Sequence, residues 1–182
     1  MKRWIVCTCL LALLLLTVGT VSAAPGDREK LPGRQVKVAA IAIGFGGDHD
    51  VKLKLALEHL EVAGANGVDI ACLPEEFADT GAEPIPGPTT NAVAELAKKH
   101  RMYVVCSVRE QAADGRQYNT NVLLDREGKI AGHYRKVFVF WGEGVNVSEE
   151  GVKVFDVDFG RIALFTCFDA NFAELWLEAD KK

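Results

Sequence analysis

From Val36 to Ile43 the chain reads VKVAAIAI, apolar and β-branched enough for a strand, and Val51 to Ala63 then places Leu53, Leu57 and Leu60 on one helical face. Gly64 and Gly67 are expected to end that helix. A second strand, Val68 to Leu73, runs into Pro74-Glu75-Glu76, and the loop Gly81 to Pro88 leads to a helix from about Thr90 to His100. The third strand is Met102 to Arg109. After it the period changes: Asn119 to Leu124 and Ile130 to Arg135 read as a hairpin about Asp125 to Lys129. Val152 to Asp158 and Arg161 to Cys167 read as another, turning at Phe159-Gly160. Phe172 to Lys182 begins a helix. Helices that first alternate with strands and then yield to hairpins predict an α/β fold whose mixed sheet carries helices on one face. The strands are apolar throughout, so something other than water should cover the other face.

The N-terminus departs from this pattern. Lys2 and Arg3 precede an apolar run, Leu10 to Leu16, and small residues ending in Val21-Ser22-Ala23, the outline of a secretory signal peptide over 1–23. Cleavage after Ala23 implies an exported chain, periplasmic or extracellular. An uncleaved membrane anchor is the alternative, although the run falls short of the ~20 apolar residues a span requires. Residues 24–35 (APGDREKLPGRQ) read as a flexible lead-in, and the domain proper as 36–182. Signal removal takes the 21 basic residues to 19 against 25 acidic ones. An acidic chain without basic blocks argues against a nucleic-acid partner or, once the signal is cleaved, an anionic membrane partner.

With Cys7 and Cys9 in the signal, three of the five cysteines remain: Cys72, Cys106 and Cys167. Each lies in an apolar strand-like run, which argues against a disulfide framework and for at least one free thiol. Cys72 and Cys106 read as small core residues. Cys167 differs through its surroundings, TCFDANFAE, which join LPEEF and YRKVFVFWGE as segments that put reactive groups at the ends of apolar strands.

These three segments resemble the nitrilase or carbon-nitrogen hydrolase superfamily, which carries a Glu after a strand-ending Pro, a Lys in a Tyr-Arg-Lys-Val type segment, and a Cys in a Cys-(Tyr/Phe)-Asp-x-x-Phe-Pro-Glu type segment. The resemblance runs from about Val36 to the end, Asn119-Thr120-Asn121 included, with Ala173 where the family usually has Pro. It implies that Glu75 is the general base, Lys136 the oxyanion-stabilising cation and Cys167 the nucleophile. Glu143 falls near a second family glutamate, and Glu76 is the other carboxylate beside Pro74. A carboxylate to take the thiol proton and an ammonium to favour the anion are what attack on an amide or nitrile carbon needs. The backbone N–H of Phe168 is a candidate second donor to the oxyanion. Neither a metal nor a cofactor is called for.

The resemblance also implies an α-β-β-α sandwich. Because the chain stops soon after Cys167, the C-terminal part of that sandwich is expected to be missing. Family members pair through sheet-flanking helices, so a homo-oligomer is implied for the full-length form. The expected substrate is a small amide, carbamoyl compound or nitrile. The rival of another class is an inactive fragment or pseudoenzyme that keeps the motifs and acts by association. An acyltransferase variant would call for flanking membrane spans. A Cys-His site using His133 lacks a local signature, no Cys/His pair has metal-ligand spacing, and Gly44-Phe45-Gly46-Gly47 lacks the Lys-Ser/Thr of a phosphate loop.

Overall fold

In the computed structural model, which describes residues 34–44, 47–78 and 81–182, the first strand β1 is Val38–Ala40 and the first helix α1 is His49–Ala65. The predicted signal peptide and most of the predicted lead-in lie outside the described residues. Asp48 caps α1, its carboxylate accepting the Asp50 N–H at 2.8 Å. The helix buries Ala56, Leu60 and Ala63, while Leu53 and Leu57 sit at the margin of the same core. Alanines therefore form the centre of the contact stripe, because small side chains let the helix lie close to the sheet. Gly64 was expected to end α1 but stays within it. A Cβ there would come within 2.2 Å of the His100 ring, so its missing side chain serves the close approach of two helices.

The second helix, α2, is Pro88–His100 and starts earlier than expected because Pro88 occupies the first turn, where its missing N–H costs nothing. Between the helices runs β2, Ile70–Cys72. The remaining strands are β3 (Tyr103–Gln111), β4 (Gln117–Leu124), β5 (Ile130–Arg135), β6 (Val154–Val157) and β7 (Gly160–Ala163). A 3₁₀ helix, Cys167–Asn171, precedes the last helix, α3 (Ala173–Lys181).

Strands β1 to β5 form one sheet in sequence order, parallel from β1 to β3 and antiparallel from β3 to β5. The sheet is mixed, as the switch from helical to hairpin connections predicts. Its first face packs Val104, Cys106, Val122 and Leu124 against α1 and α2. On its second face, Ile70, Val105, Leu123 and Tyr134 meet Phe155, Val157, Phe159 and Ile162. These belong to β6, β7 and their turn, a separate two-stranded sheet. The second layer is held close because Gly132 on β5 has no side chain: a Cβ there would lie 2.2 Å from the Phe155 ring. Burying each large apolar side chain between layers contributes about 1.5–3 kcal/mol.

Ion pairs tie the layers at one end. Arg126, between β4 and β5, donates to Asp158 at 2.6 and 3.0 Å and to Asp69 at 3.0 Å. Asp69 also accepts from Arg34 at 2.7 and 2.9 Å, so the end of the expected flexible lead-in is held to the sheet. Two boundaries differ from expectation. The β6-β7 turn is Asp158-Phe159, since Val157 pairs with Gly160. The strand expected to reach Cys167 ends at Ala163, and Cys167 opens the 3₁₀ helix instead. Among the described residues, no helix is long and apolar enough to cross a membrane.

Candidate active site

Pro74 has no N–H to continue pairing after Leu73 bonds Val105, so β2 stops and the chain turns through Glu75 and Glu76. Glu76 adopts a left-handed backbone, φ 41°. Its N–H donates to Ser107 Oγ at 3.0 Å, and that hydroxyl donates to Asn119 Oδ1 at 3.2 Å. Asn119 in turn donates from Nδ2 to Glu75 Oε1 at 2.6 Å. A buried polar relay on β3 and β4 therefore orients the Glu75 carboxylate from below.

Lys136 follows β5 directly, and its N–H bonds Asn119 O at 2.9 Å. Its side chain has no exposed surface, and Nζ lies 2.7 Å from Glu75 Oε1 and 2.6 Å from Glu143 Oε1. Burial works against the ammonium, but the hydrogen bonds and charges of Glu143 and Glu75 outweigh it and raise the Lys136 pKa above the ordinary lysine value. Glu143 is fixed from the other side by the Phe140 N–H, which donates to Oε1 at 2.9 Å. Glu76 takes a different partner: its Oε2 pairs with Arg109 at 3.1 Å, and the same guanidinium nitrogen donates to Glu143 O at 3.0 Å. Of the two carboxylates after Pro74, Glu75 is thus the one that meets the lysine.

Cys167 reaches the same place from the second sheet. Asn121 donates to Phe165 O at 3.2 Å and Thr166 Oγ1 at 2.8 Å, pinning the approach to β4. Asp169, fully buried, accepts from the Thr166 N–H at 3.1 Å, the Tyr134 hydroxyl at 2.9 Å and the Phe138 N–H at 2.7 Å. Between Thr166 and Asp169 the chain is forced into a tight bend in which Cys167 takes φ 44°. A non-glycine residue there stores about 1–3 kcal/mol of strain, held by the bonds on either side. The bend leaves the thiol exposed.

Glu75 and Lys136 both act on the thiol: its pKa is raised first by burial and then by the neighbouring Glu75 carboxylate, with Lys136 pulling the other way. The first bond inside the 3₁₀ helix runs from Asp169 N to Thr166 O, so the Phe168 N–H precedes the helical ladder beside the thiol. The five residues singled out in the sequence, Glu75, Lys136, Cys167, Phe168 and Glu143, therefore share one site. His133, the rival base, lies among Lys153, Glu110, Arg135 and Glu150, with its pKa lowered first by burial. Cys106 is a core residue, its thiol pushed up to about 12 by burial. Among the described residues, no three His, Cys, Asp or Glu side chains group to hold a metal ion.

Sequence reasoning missed Asp169, Tyr134 and Arg109 and assigned no role to Asn119 or Asn121. The available signal was polarity out of place: Asn119, Thr120 and Asn121 form a buried polar run that leads directly into the apolar Val122 to Leu124.

The carbon-nitrogen hydrolase family matches residues 37–182 of the chain. A hydrolase of Schizosaccharomyces pombe is 27% identical over 181 residues, 88% of this chain and 55% of that one. The omega-amidase of Homo sapiens is 28% identical over 157 residues, 76% of this chain and 57% of the relative. A beta-ureidopropionase of Arabidopsis thaliana is 30% identical over 146 residues, 65% of this chain and 34% of the relative. Among solved structures, an amidase of the nitrilase superfamily from Nesterenkonia AN1 shares the fold with a TM-score of 0.71 at 17% identity, over 80% of this chain and 61% of that one. The chain spans little more than half the length of the first of these relatives. With the family match running from the first strand through the cysteine bend to the last residue, the chain belongs to the carbon-nitrogen hydrolase family of the nitrilase superfamily.

Proposed function

We propose that the full-length protein hydrolyses a small-molecule, non-peptide carbon-nitrogen bond, an amide before a carbamoyl compound or a nitrile, through a thioester on Cys167. One observation carries this reading: the Lys136 ammonium lies 2.7 Å from the Glu75 carboxylate, and both charges act on the Cys167 thiol. Burial and the Glu75 carboxylate raise the thiol pKa, which favours the protonated form of the resting cysteine. Attack therefore needs a base at the moment of reaction, and Glu75 is in place to be it.

Glu75 takes the thiol proton as sulfur bonds to the amide carbon, and the C=O electron pair moves to oxygen. Lys136 and the Phe168 N–H stabilise that oxyanion, where loss of one such donor costs about 2.7–4 kcal/mol of barrier. Collapse breaks the C–N bond while Glu75 returns its proton to the departing amine or ammonia. Glu75 then deprotonates a water, which attacks the thioester and releases the acid and the Cys167 thiol. Glu143 holds Lys136 in line throughout. Relatives named as amidase, omega-amidase, beta-ureidopropionase and pantetheinase support an amide-type bond.

The N-terminal segment supports export, and the family supports a homo-oligomer. Assay of the full-length protein against amides, N-carbamoyl compounds and nitriles should detect amine or ammonia release that Cys167→Ala abolishes while leaving the fold intact. Turnover surviving in that variant overturns the mechanism. Absence of turnover in the unsubstituted protein favours a motif-retaining chain that acts by association.

A further inference from the structure

The two carboxylates that hold Lys136 belong to two separate turns. Glu75 lies where β2 stops, and Glu143 lies in the turn that follows β5 and Lys136. The second turn has little of its own to fix it. Glu143 stands between Gly142 at φ 94° and Gly144 at φ 68°, a stretch of backbone that glycine leaves free to adopt other conformations. Its internal bonds run from the Phe140 N–H to Glu143 Oε1 at 2.9 Å and from the Glu143 N–H to Phe140 O at 3.3 Å, so they close the turn without attaching it to a sheet. Among the described residues, the main chain of residues 139–145 takes one hydrogen bond from another element: Arg109 Nη2, on β3, donates to Glu143 O at 3.0 Å.

The same nitrogen lies 3.1 Å from Glu76 Oε2. Glu76 directly follows the proposed base, and its N–H is held by Ser107 Oγ at 3.0 Å. Ser107 and Arg109 are two apart on β3, so both side chains leave the same face of the sheet. Glu76 depends on the guanidinium, because its Oε1 is buried and meets no donor among the described residues. Taking away Arg109 would leave Lys136 as the one cation bonded to any of the three carboxylates Glu75, Glu76 and Glu143. Like charges gathered in this way push apart, and the turn between the two glycines is the part with freedom to give way.

Resting on the reading of Glu75 as base and Lys136 as oxyanion donor, we infer that Arg109 is a positioning residue of this reaction. Through one nitrogen it ties the turn that bears the base to the turn that bears Glu143, at the separation where both carboxylates reach the Lys136 ammonium. Its effect reaches the chemistry only through those turns. With the clamp released, Glu143 drifts from Lys136 and the ammonium is no longer aimed where the oxyanion forms, a displacement felt in the transition state rather than in binding of the uncharged amide.

Two measurements on the full-length protein test this, and the first needs no turnover. Hydrogen exchange followed by mass spectrometry should show residues 139–145 exchanging at least about tenfold faster in Arg109→Gln, with β3 and β4 unchanged. Ammonia release from propionamide should show kcat lowered at least about tenfold while KM changes less than about threefold, since the clamp sets reacting geometry. Both bonds come from one nitrogen, so Arg109→Lys should recover most of each loss. Glu76→Gln, which keeps the side chain's shape, should loosen the same segment to a smaller extent, and serves where Arg109→Gln does not fold. The double variant Arg109→Gln/Glu76→Gln should be no slower than Arg109→Gln alone, because Glu76 acts through Arg109. Unchanged exchange in residues 139–145, exchange that rises across the whole sheet, a loss carried by KM, or losses that multiply in the double variant overturn the inference. If the unsubstituted protein leaves propionamide intact, the exchange measurement alone decides; hydrolysis that Arg109→Gln leaves unchanged removes only this inference and not the proposed reaction.

Discussion

Lys136 and Cys167 occupy one site but are held in opposite ways. The lysine has no exposed side-chain surface and its charge lies between two carboxylates. The cysteine is exposed, its thiol pKa raised by burial and by Glu75, and its backbone bent to φ 44°. The first half is built on strand ends of the five-stranded sheet, whose second-face apolar layer and Asn119 relay remove freedom from every participant. The second half is a bend spanned by bonds to Asp169 and Asn121. Stabilisation of charge needs atoms that do not move, so in the proposed reaction it falls to a lysine with no exposed side-chain surface. Nucleophilic attack, the role proposed for Cys167, needs a group that can meet the substrate, and this one is exposed.

Breaking the rigid half should have the largest effect. Lys136→Met leaves Glu75 and Glu143 facing each other without a cation. Removing one partner of a buried pair costs about 3–5 kcal/mol, and the low end is expected because both carboxylates keep some contact with water. Denaturant unfolding should show this loss, and the rate of any amide hydrolysis should fall at least about 10²–10³-fold. Unchanged stability would mean that the ammonium is not engaged as described.

Glu75→Gln sharpens the contrast by separating chemistry from reactivity. Hydrolysis should stop, yet the thiol loses a negative neighbour that raises its pKa, so its titration midpoint should move down. Alkylation of Cys167 by iodoacetamide at pH 8 should then become several-fold faster, scaling with the thiolate fraction. The sign for stability follows. A thiol whose folded pKa lies above its unfolded value stabilises the fold only while it stays protonated, so that contribution is lost as pH rises beyond about 9. The alkaline slope of stability against pH should be shallower in Glu75→Gln.

The smallest effect concerns the bend itself. Compared as a pair, Cys167→Gly should be more stable than Cys167→Ala by about 1 kcal/mol, because glycine takes φ 44° without meeting its own Cβ. Equal melting temperatures would remove backbone strain from the account of the nucleophile.

Much of this was legible from one dimension. Leu60 and the apolar runs Val104 to Val108 and Val122 to Leu124 announced their burial by apolar content, and Pro74 and Tyr134-Arg135-Lys136 marked strand ends. The supports of the site were less visible. Asp169 and Arg109 are ordinary charged residues in the linear text, and their meaning depends on partners 31 to 35 positions away. The rotation of α1 onto Ala56 and Ala63 likewise depends on how closely the sheet lets a helix approach.

The linear order by itself determined the alternation of helices, strands and hairpins, the family, and which three reactive side chains stand at the ends of apolar runs, because periodicity and short motifs are local properties. Only the tertiary structure decided that Glu75 rather than Glu76 meets Lys136, that Cys167 stands on a strained bend instead of a strand, and that Asn119 and Asp169 hold the two halves in register. Those outcomes depend on hydrogen-bond distances between residues far apart in sequence. Such distances are set by the packing of two sheets against each other, which no single segment encodes.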